Sequence, residues 1–156
     1  MKVDPDFADF IAALNRNRVE YVIVGAYALA FFGAPRFTGD VDIWIRPTSS
    51  NAKALLSAVS EFGFESLSLT EEDILSGRII QMGYPPMRID LITVLDGVTA
   101  DEIWAGRKEG LFGEQSVFYI GKDVFIKNKR AAGRPKDIAD LAALGETPGP
   151  EGGGKG

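Results

Sequence analysis

Three aspartates in apolar surroundings are the residues of this chain best suited to chemistry. Asp40 and Asp42 alternate with apolar residues in the segment DVDIWI, so a β-strand would place both carboxylates on one face. Asp90 lies between Ile89 and Leu91 in a second apolar segment. Ionised carboxylates side by side are unfavourable unless a cation lies between them, and carboxylate oxygens are ligands that Mg²⁺ prefers. The pattern indicates a divalent metal site.

Two simpler explanations of these aspartates are open at this point. A D-x-D pair arises by chance in a chain of this composition, and Asp4-Pro5-Asp6 is a second example with no other site feature beside it. For Asp90, the alternative is a solvent-facing position on an edge strand. A site at Asp40 and Asp42 is favoured because the other face of the predicted strand Val41–Ile45 is apolar, so this strand must pack within the fold.

The composition excludes several classes of active site. The chain of 156 residues contains neither cysteine nor histidine. Disulfides, thiolate or imidazole catalysis, and metals bound by these groups are therefore ruled out, which leaves oxygen ligands for Mg²⁺, Mn²⁺ or Ca²⁺. A hydrophobic content of 46% suits one globular domain, and a net charge of −5 does not favour a protein that coats nucleic acid.

A glycine turn precedes the first two aspartates. The run Tyr21–Val24 predicts a buried strand, and Gly25 separates it from a helix predicted over Ala26–Phe32. A glycine turn at a helix start can present backbone N–H groups to phosphate. Gly33-Ala34-Pro35 ends the helix, and a polar link that contains Thr38 leads into the aspartate strand. This order of elements indicates a site for phosphate and its metal.

The remaining segments predict an α+β fold, with helices packed on a small mixed sheet and a helical C-terminal segment. Helices are predicted over Pro5–Asn15, from Ser49 or Ser50 to Phe62, in a capping-box turn from Thr70 to about Gly77, and over Thr99–Ala105, Ile126–Ala132 and Pro135–Leu144. Strands are predicted over Phe64–Leu69, Arg78–Met82 and Met87–Val94, and in a hairpin of Ser116–Ile120 with Asp123–Ile126.

The two ends of the chain differ from its middle in composition. Residues 1–145 are predicted to form one domain, and the glycine-rich residues 146–156 a flexible tail that has nothing to bury. The first residues, MKVDPDF, have no apolar signal core, and no apolar run reaches membrane-spanning length. These observations predict a cytoplasmic protein without a membrane partner.

A segment near the C-terminus is rich in basic residues, although the chain as a whole is acidic. Its cations are Lys122, Lys127, Lys129, Arg130, Arg134 and Lys136. A triphosphate needs cations beyond its metals, and lysine or arginine supplies them; a solvated helix face is the alternative. In the helix that follows, Ile138, Leu141, Ala142 and Leu144 predict a packing stripe. Trp44, on the aspartate face, is a candidate for covering a base.

The run VGAYALAFFGAPRFTGDVDIWI resembles the signature of the polymerase-β-like nucleotidyltransferase superfamily, in which an apolar strand, a Gly-Gly or Gly-Ser turn and an alternating aspartate pair follow one another. More narrowly, the chain is similar to the minimal and abortive-infection (AbiEii-type) toxin–antitoxin nucleotidyltransferases, whose basic, aspartate-containing terminal motif resembles KNKRAAGRPKDIADL. The resemblance extends from Tyr21 to about Leu144. It implies the nucleotidyltransferase fold for residues 1–145.

The resemblance also implies a role for each candidate residue. Asp40, Asp42 and Asp90 would be catalytic and would hold two Mg²⁺ ions with the nucleoside triphosphate, while Gly25 and Ala26 would form the turn that faces phosphate. The rest of the implied nucleotide-binding set is Thr38, Lys129, Arg134, Lys136 and Asp137. Ala26 departs from the glycine or serine of the family, which removes a serine hydroxyl contact and makes the turn less permissive.

The implied activity is magnesium-dependent transfer of a nucleoside monophosphate from a nucleoside triphosphate to a hydroxyl of a protein or RNA acceptor, tRNA included, in a toxin–antitoxin or defence setting. The alternative is a catalytically weak module of the same fold that binds a helical toxin or antitoxin partner. Ala26 and the lack of a sizeable second domain favour the module, whereas the three aspartates favour the enzyme. A small-molecule nucleotidyltransferase of the aminoglycoside type would need an acceptor pocket from a second subunit.

Overall fold

The computed structural model describes residues 5–36, 38–63, 68–84 and 87–149, which form an α+β protein with a six-stranded mixed sheet and a helical C-terminal segment. The helices are α1 (Pro5–Arg16), α2 (Gly25–Phe31), α3 (Ser49–Phe62), α4 (Glu71–Leu75), α5 (Ala100–Ala105), α6 (Lys122–Ala132) and α7 (Pro135–Ala143). The strands are β1 (Tyr21–Val24), β2 (Asp40–Ile45), β3 (Ile80–Tyr84), β4 (Met87–Ile92), β5 (Lys108–Phe112) and β6 (Gln115–Tyr119). None of the helices in the described segments is long and apolar enough to cross a membrane.

The order of strands decides which side chains can meet. The sheet runs β3-β4-β2-β1-β6-β5. Three neighbouring pairs are antiparallel, namely β1 with β2, β3 with β4, and β5 with β6, whereas β2 with β4 and β1 with β6 are parallel. Because β4 lies between β3 and β2, Asp90 is not on an edge strand. The edge-strand explanation of Asp90 is therefore wrong.

The apolar faces of the helices and the sheet form the core. Every residue of β1 is buried, as expected for a continuous apolar run in a central strand. α1 buries Phe7, Phe10 and Ile11, and the ring of Phe10 meets that of Phe62 in α3 edge to face, with centroids 5.3 Å apart. Full burial of such a side chain contributes about 1.5–3 kcal/mol. α1 also contacts β4, so this packing supports the strand that carries Asp90.

Several helix boundaries follow local signals in the sequence. Thr70 and Asp73 form the predicted capping box of α4, in which each backbone N–H donates to the other side chain, at 3.0 and 3.1 Å. Gly63 ends α3 in the left-handed region, with φ of +106°, as predicted. The cap of α3 is Thr48, whose Oγ1 accepts from Asn51 N at 3.2 Å, rather than either of the serines that follow it.

The hairpin near the C-terminus differs from the prediction. It is formed by β5 and β6, and the segment predicted as its second strand, Asp123–Ile126, lies in α6. Gly121 caps α6 and lies so close to a neighbouring backbone carbonyl that a Cβ would collide with it. The buried residues of α6 are Phe125, Ile126 and Lys129, which recur at helical spacing. The prediction failed because a short apolar window does not separate a period of two from a helical period.

The buried face of α7 also differs from the predicted apolar stripe. Asp137, Asp140 and Leu141 are buried, whereas Ile138 is 38% exposed. Two aspartates can take buried positions because Lys129 of α6 forms ion pairs with both. An apolar pattern alone cannot reveal such a pairing.

Parts of two predictions lie outside the described residues. These parts are residues 64–67, most of the strand predicted to begin at residue 64, and residues 150–156, most of the predicted tail. The described start of the tail contacts the domain. Arg130 Nη2 lies 3.2 Å from Glu146 Oε1, and Arg130 Nε donates to Thr147 O at 2.9 Å.

Candidate functional site

The parallel pairing of β2 with β4 brings the aspartates together. Asp42 lies directly opposite Asp90, and Asp40 lies opposite Arg88. All four side chains share one face of the sheet, because residues two apart on a strand point to the same side. Arg88 Nη2 lies 2.8 Å from Asp40 Oδ2, and Arg88 Nε lies 3.5 Å from Asp90 Oδ1. We call these three carboxylates and one guanidinium the carboxylate block.

Gly25 closes one side of the carboxylate block. Its φ of +67° is in the left-handed region, which glycine adopts readily. A Cβ at this position would collide with Asp42 Oδ2, so only glycine lets the end of β1 approach that carboxylate so closely. The neighbouring Ala26 is 7% exposed, and α2 has only seven residues. Phosphate binding by this turn stays a prediction.

Burial raises the pKa values of the two facing carboxyl groups. Burial is the main cause for Asp42, and the negative charge of Asp90 adds to it, so the pKa of Asp42 rises from 3.8 to about 6. Burial also raises the pKa of Asp90, although the guanidinium of Arg88 opposes the increase. The contact between the two side chains raises the pKa of Asp42 further and opposes the increase at Asp90.

The facing pair fits a divalent cation. Asp90 Oδ1 is buried and accepts no hydrogen bond from any described residue. A cation between Asp42 and Asp90 would offset the repulsion of the two carboxylates and supply the partner that Oδ1 lacks. In the part of the chain that the structure describes, however, no group of three or more acidic side chains has the arrangement of a metal site. Two of the three predicted aspartates converge, and Asp40 is directed at Arg88.

The carboxylate pair lines a cleft of about 320 Å³. Lys129, Arg134 and Lys136 of the basic segment line the same cleft. The positive charge of Lys136 lowers the pKa of both carboxyl groups, against the larger effect of burial, so its ammonium lies within electrostatic reach of them. The apolar lining includes Ile79, Ile92, Val94, Leu95, Ile120 and Phe125. The cleft can therefore accept a ligand with an anionic part and an apolar part.

Two cations of the basic segment take part in ion pairs with buried aspartates. Lys129 is 7% exposed, and its Nζ lies 3.1 Å from Asp137 Oδ1 and 3.2 Å from Asp140 Oδ2. Arg134 Nε donates to Asp137 Oδ2 at 2.7 Å, and Arg36 Nε lies 3.2 Å from Asp140 Oδ1. We call these five residues the charge network. Since two carboxylates engage the Lys129 ammonium, this lysine joins α6 to α7.

Asp137, predicted to bind nucleotide, is completely buried. Burial alone would raise its pKa, but hydrogen bonds from Arg134 and Lys129 outweigh burial and hold the pKa below its ordinary value. Asp137 therefore acts on the cleft through the basic side chains that it holds. Arg134 and Lys136 have exposed side chains and are the basic residues that a ligand in the cleft can contact.

Two other residues that were predicted to contact the nucleotide form hydrogen bonds inside the protein. Thr38 Oγ1 accepts a hydrogen bond from Asp40 N and donates one to Asp40 O, both at 3.1 Å, and so anchors the start of β2. Trp44 is fully buried, and its Nε1 donates to Thr93 O at 3.1 Å. The prediction that Trp44 covers a base is therefore wrong, because its ring does not reach the protein surface.

Sequence reasoning missed three residues of the site. Arg88 lies two positions before Asp90 in β4, and the period of two was the signal that could have placed it on the same face. Asn128 and Asp96 line the cleft, and Asn128 Nδ2 donates to Asp96 O at 2.9 Å. No local pattern marks this last pair, because its members come from segments far apart in the chain.

Two carboxylates, a close glycine turn and exposed cations thus face one cleft. These parts can bind a divalent cation and an anionic ligand side by side. No protein-family model matches the chain, and no curated protein is significantly similar to it.

Proposed function

We propose that this protein is a cytoplasmic, magnesium-dependent enzyme with the nucleotidyltransferase fold, which transfers a nucleoside monophosphate from a nucleoside triphosphate to a hydroxyl of a protein or RNA acceptor. The observation that carries the proposal is the Asp42–Asp90 pair, in register on neighbouring parallel strands. It faces a cleft that also contains Arg134 and Lys136. Ligands for a divalent cation and donors for phosphate are therefore combined in one place.

The carboxylates would hold the metal. Asp42 and Asp90 face each other already, and Asp40 is the third carboxylate within the same block. A pair of bound magnesium ions stabilises the attacking and leaving oxygens of an in-line displacement at phosphorus. The chain itself then has to position the two reactants and balance their charge.

The basic residues of the cleft would bind the triphosphate. The ammonium of Lys136 is a point charge in the cleft that the carboxylate pair lines. The side chain of Arg134 is 62% exposed, yet its Nε donates to Asp137 at 2.7 Å, so the remaining N–H groups of the guanidinium are restricted in direction. The apolar lining that includes Ile79 and Val94 would contact the nucleoside.

Asp90 would orient the acceptor. Its Oδ1 is buried beside the cleft and has no hydrogen-bond partner among the described residues. A hydroxyl group that donates to this oxygen would place its own oxygen at the carboxylate pair, as an attack on phosphorus requires. The acceptor would be a protein, such as a partner toxin, or an RNA, such as tRNA.

One observation favours a second candidate function. The ion pair with Arg88 directs Asp40 away from the position where three carboxylates would meet. A catalytically weak protein of this fold would serve as a partner-binding subunit, as an antitoxin-like module that binds a helical toxin does. Such a protein would transfer little or no nucleotide to any acceptor.

Incubation with radiolabelled nucleoside triphosphates, Mg²⁺ and a cell extract tests the enzyme. We expect label on a macromolecule, which protease and ribonuclease treatment assigns to protein or RNA. Asp42→Asn should reduce labelling on the order of 100-fold or more, because it removes a ligand at the reacting centre. Asp101→Asn is the matched control, since the Asp101 side chain is 92% exposed and lies outside the cleft. Absence of label, together with a co-purifying helical partner, would instead support the binding module.

A further inference from the structure

Arg88 lies in the middle of the carboxylate block. Its Nη2 contacts Asp40 Oδ2 at 2.8 Å, while its Nε is 3.5 Å from Asp90 Oδ1 and makes no hydrogen bond to a described residue. Arg88 thus binds Asp40 fully and Asp90 only loosely. Its side chain is two-thirds buried, with 33% exposed, so water screens these contacts only in part.

The charge of the block has a simple consequence. Three ionised carboxylates and one guanidinium leave a net charge of −2, the charge that one divalent cation balances. Without Arg88 the same site would carry −3. Arginine stays protonated at all relevant pH values, so it cannot leave the block by losing its proton. Its guanidinium and a metal ion therefore compete for the same carboxylate oxygens.

We propose that Arg88 is a positioning residue that competes with the divalent cation for Asp40 and thereby sets how tightly the site binds metal. The inference rests on the metal site of the proposed function. While the Asp40–Arg88 ion pair persists, Asp40 adds little to metal binding, and Asp42 and Asp90 supply the ligands. When Asp40 exchanges Arg88 for the metal, all three carboxylates converge.

Binding of Mn²⁺ alone, measured by electron paramagnetic resonance of the free ion and by calorimetry, tests this competition without any nucleotide. We expect Arg88→Met to bind Mn²⁺ at least about fivefold more tightly than the wild-type protein, because it removes the competing cation and keeps a long unbranched side chain. In the Asp40→Asn background the same change should have about a twofold effect, since only the long-range charge then differs.

Two further variants separate competition from a structural role. Arg16→Met removes an arginine that pairs with Glu61 far from the block, and it should leave Mn²⁺ affinity unchanged. Arg88→Lys keeps the charge on a side chain that makes fewer directed hydrogen bonds, and its affinity should fall between those of the wild type and Arg88→Met. It also keeps the test decisive if Arg88→Met does not fold, which circular dichroism would reveal.

The outcomes distinguish this inference from the proposed function. Equal Mn²⁺ affinity of the wild type and the folded Arg88 variants would overturn the competition and leave the metal site intact. An equal gain with and without Asp40 would show that Arg88 acts through charge alone, which also overturns it. If neither the wild type nor any variant bound Mn²⁺, both the metal site and the role of Arg88 would be wrong.

Discussion

Carboxylates are buried in two regions of this protein, and the two regions balance the negative charge differently. In the charge network, Asp137 and Asp140 contact basic side chains, and the pKa of Asp137 is lowered in spite of its burial. In the carboxylate block, Asp42 and Asp90 face each other, and burial raises both pKa values. A buried carboxylate with partners supports the fold, whereas one without enough partners costs stability and is available to a ligand.

The acids of the charge network have their charge balanced within the fold, whereas those of the carboxylate block are only partly balanced. The charge network joins α6 to α7 and, through Arg36, to the segment that follows α2. The carboxylate block retains repulsion that a purely structural region would have lost, which is the usual stability cost of a binding site. Substitutions in the two regions should therefore change stability in opposite directions.

The largest effect is expected in the charge network. Asp137→Ala should lower the free energy of unfolding by about 3–5 kcal/mol, because Lys129 would be left buried with one partner fewer. Urea denaturation at pH 7 measures the change. Asp101→Ala is the matched control, as it removes an aspartate that is 92% exposed and should change stability little. Equal effects of the two variants would contradict a structural role for the network.

The pH dependence sharpens this prediction. Because the folded-state pKa of Asp137 is lowered, its stabilisation is present above the unfolded value of 3.8 and is lost as pH falls through the folded pKa. The difference between the wild type and Asp137→Ala should therefore narrow in strongly acidic solution. Urea midpoints at neutral and acidic pH would show this convergence.

Asp42→Asn should change the free energy of unfolding in the opposite direction. Because the folded-state pKa of Asp42 is raised to about 6, its stabilising contribution is full below 3.8 and is lost as pH rises through about 6. At pH 7.5, without divalent metal, the asparagine variant should be more stable by about 2 kcal/mol, since one pKa unit corresponds to about 1.4 kcal/mol and solvent reduces the sum. Urea denaturation with a chelator present measures it, and added Mg²⁺ should stabilise only the wild type. A less stable variant at pH 7.5 would show that Asp42 is adequately paired.

A smaller effect is expected at the glycine turn. Gly25→Ala should lower the free energy of unfolding by about 1–2 kcal/mol, because φ of +67° strains alanine and the new Cβ collides with the Asp42 carboxylate. Gly33→Ala is the matched control, since Gly33 also has positive φ but has open space around its α-carbon. Thermal unfolding of the two variants separates the cost of the collision from the cost of the backbone strain. Equal losses of stability would show that the close approach to Asp42 is not what requires glycine at position 25.

Much of the local structure could be predicted from the sequence. The buried β1, the alternation that gives β2 its carboxylate face, and the glycine between β1 and α2 follow from short-range patterns. Where apolar spacing was ambiguous, as at Asp123–Ile126, the prediction was wrong. Caps and periodicity act over a few residues, so neighbouring side chains already contain the information.

The sequence alone determined which residues are candidates for chemistry: acids among apolar residues, a glycine before them, and no cysteine or histidine to compete. Only the tertiary structure decided their partners. The parallel register of β2 with β4 places Asp42 opposite Asp90 and lets Asp40 form an ion pair with Arg88. The packing of α6 on α7 buries Asp137 beside Lys129. These pairings join segments that lie far apart in the chain, and the free energy of a buried charge depends on the partners that folding brings to it.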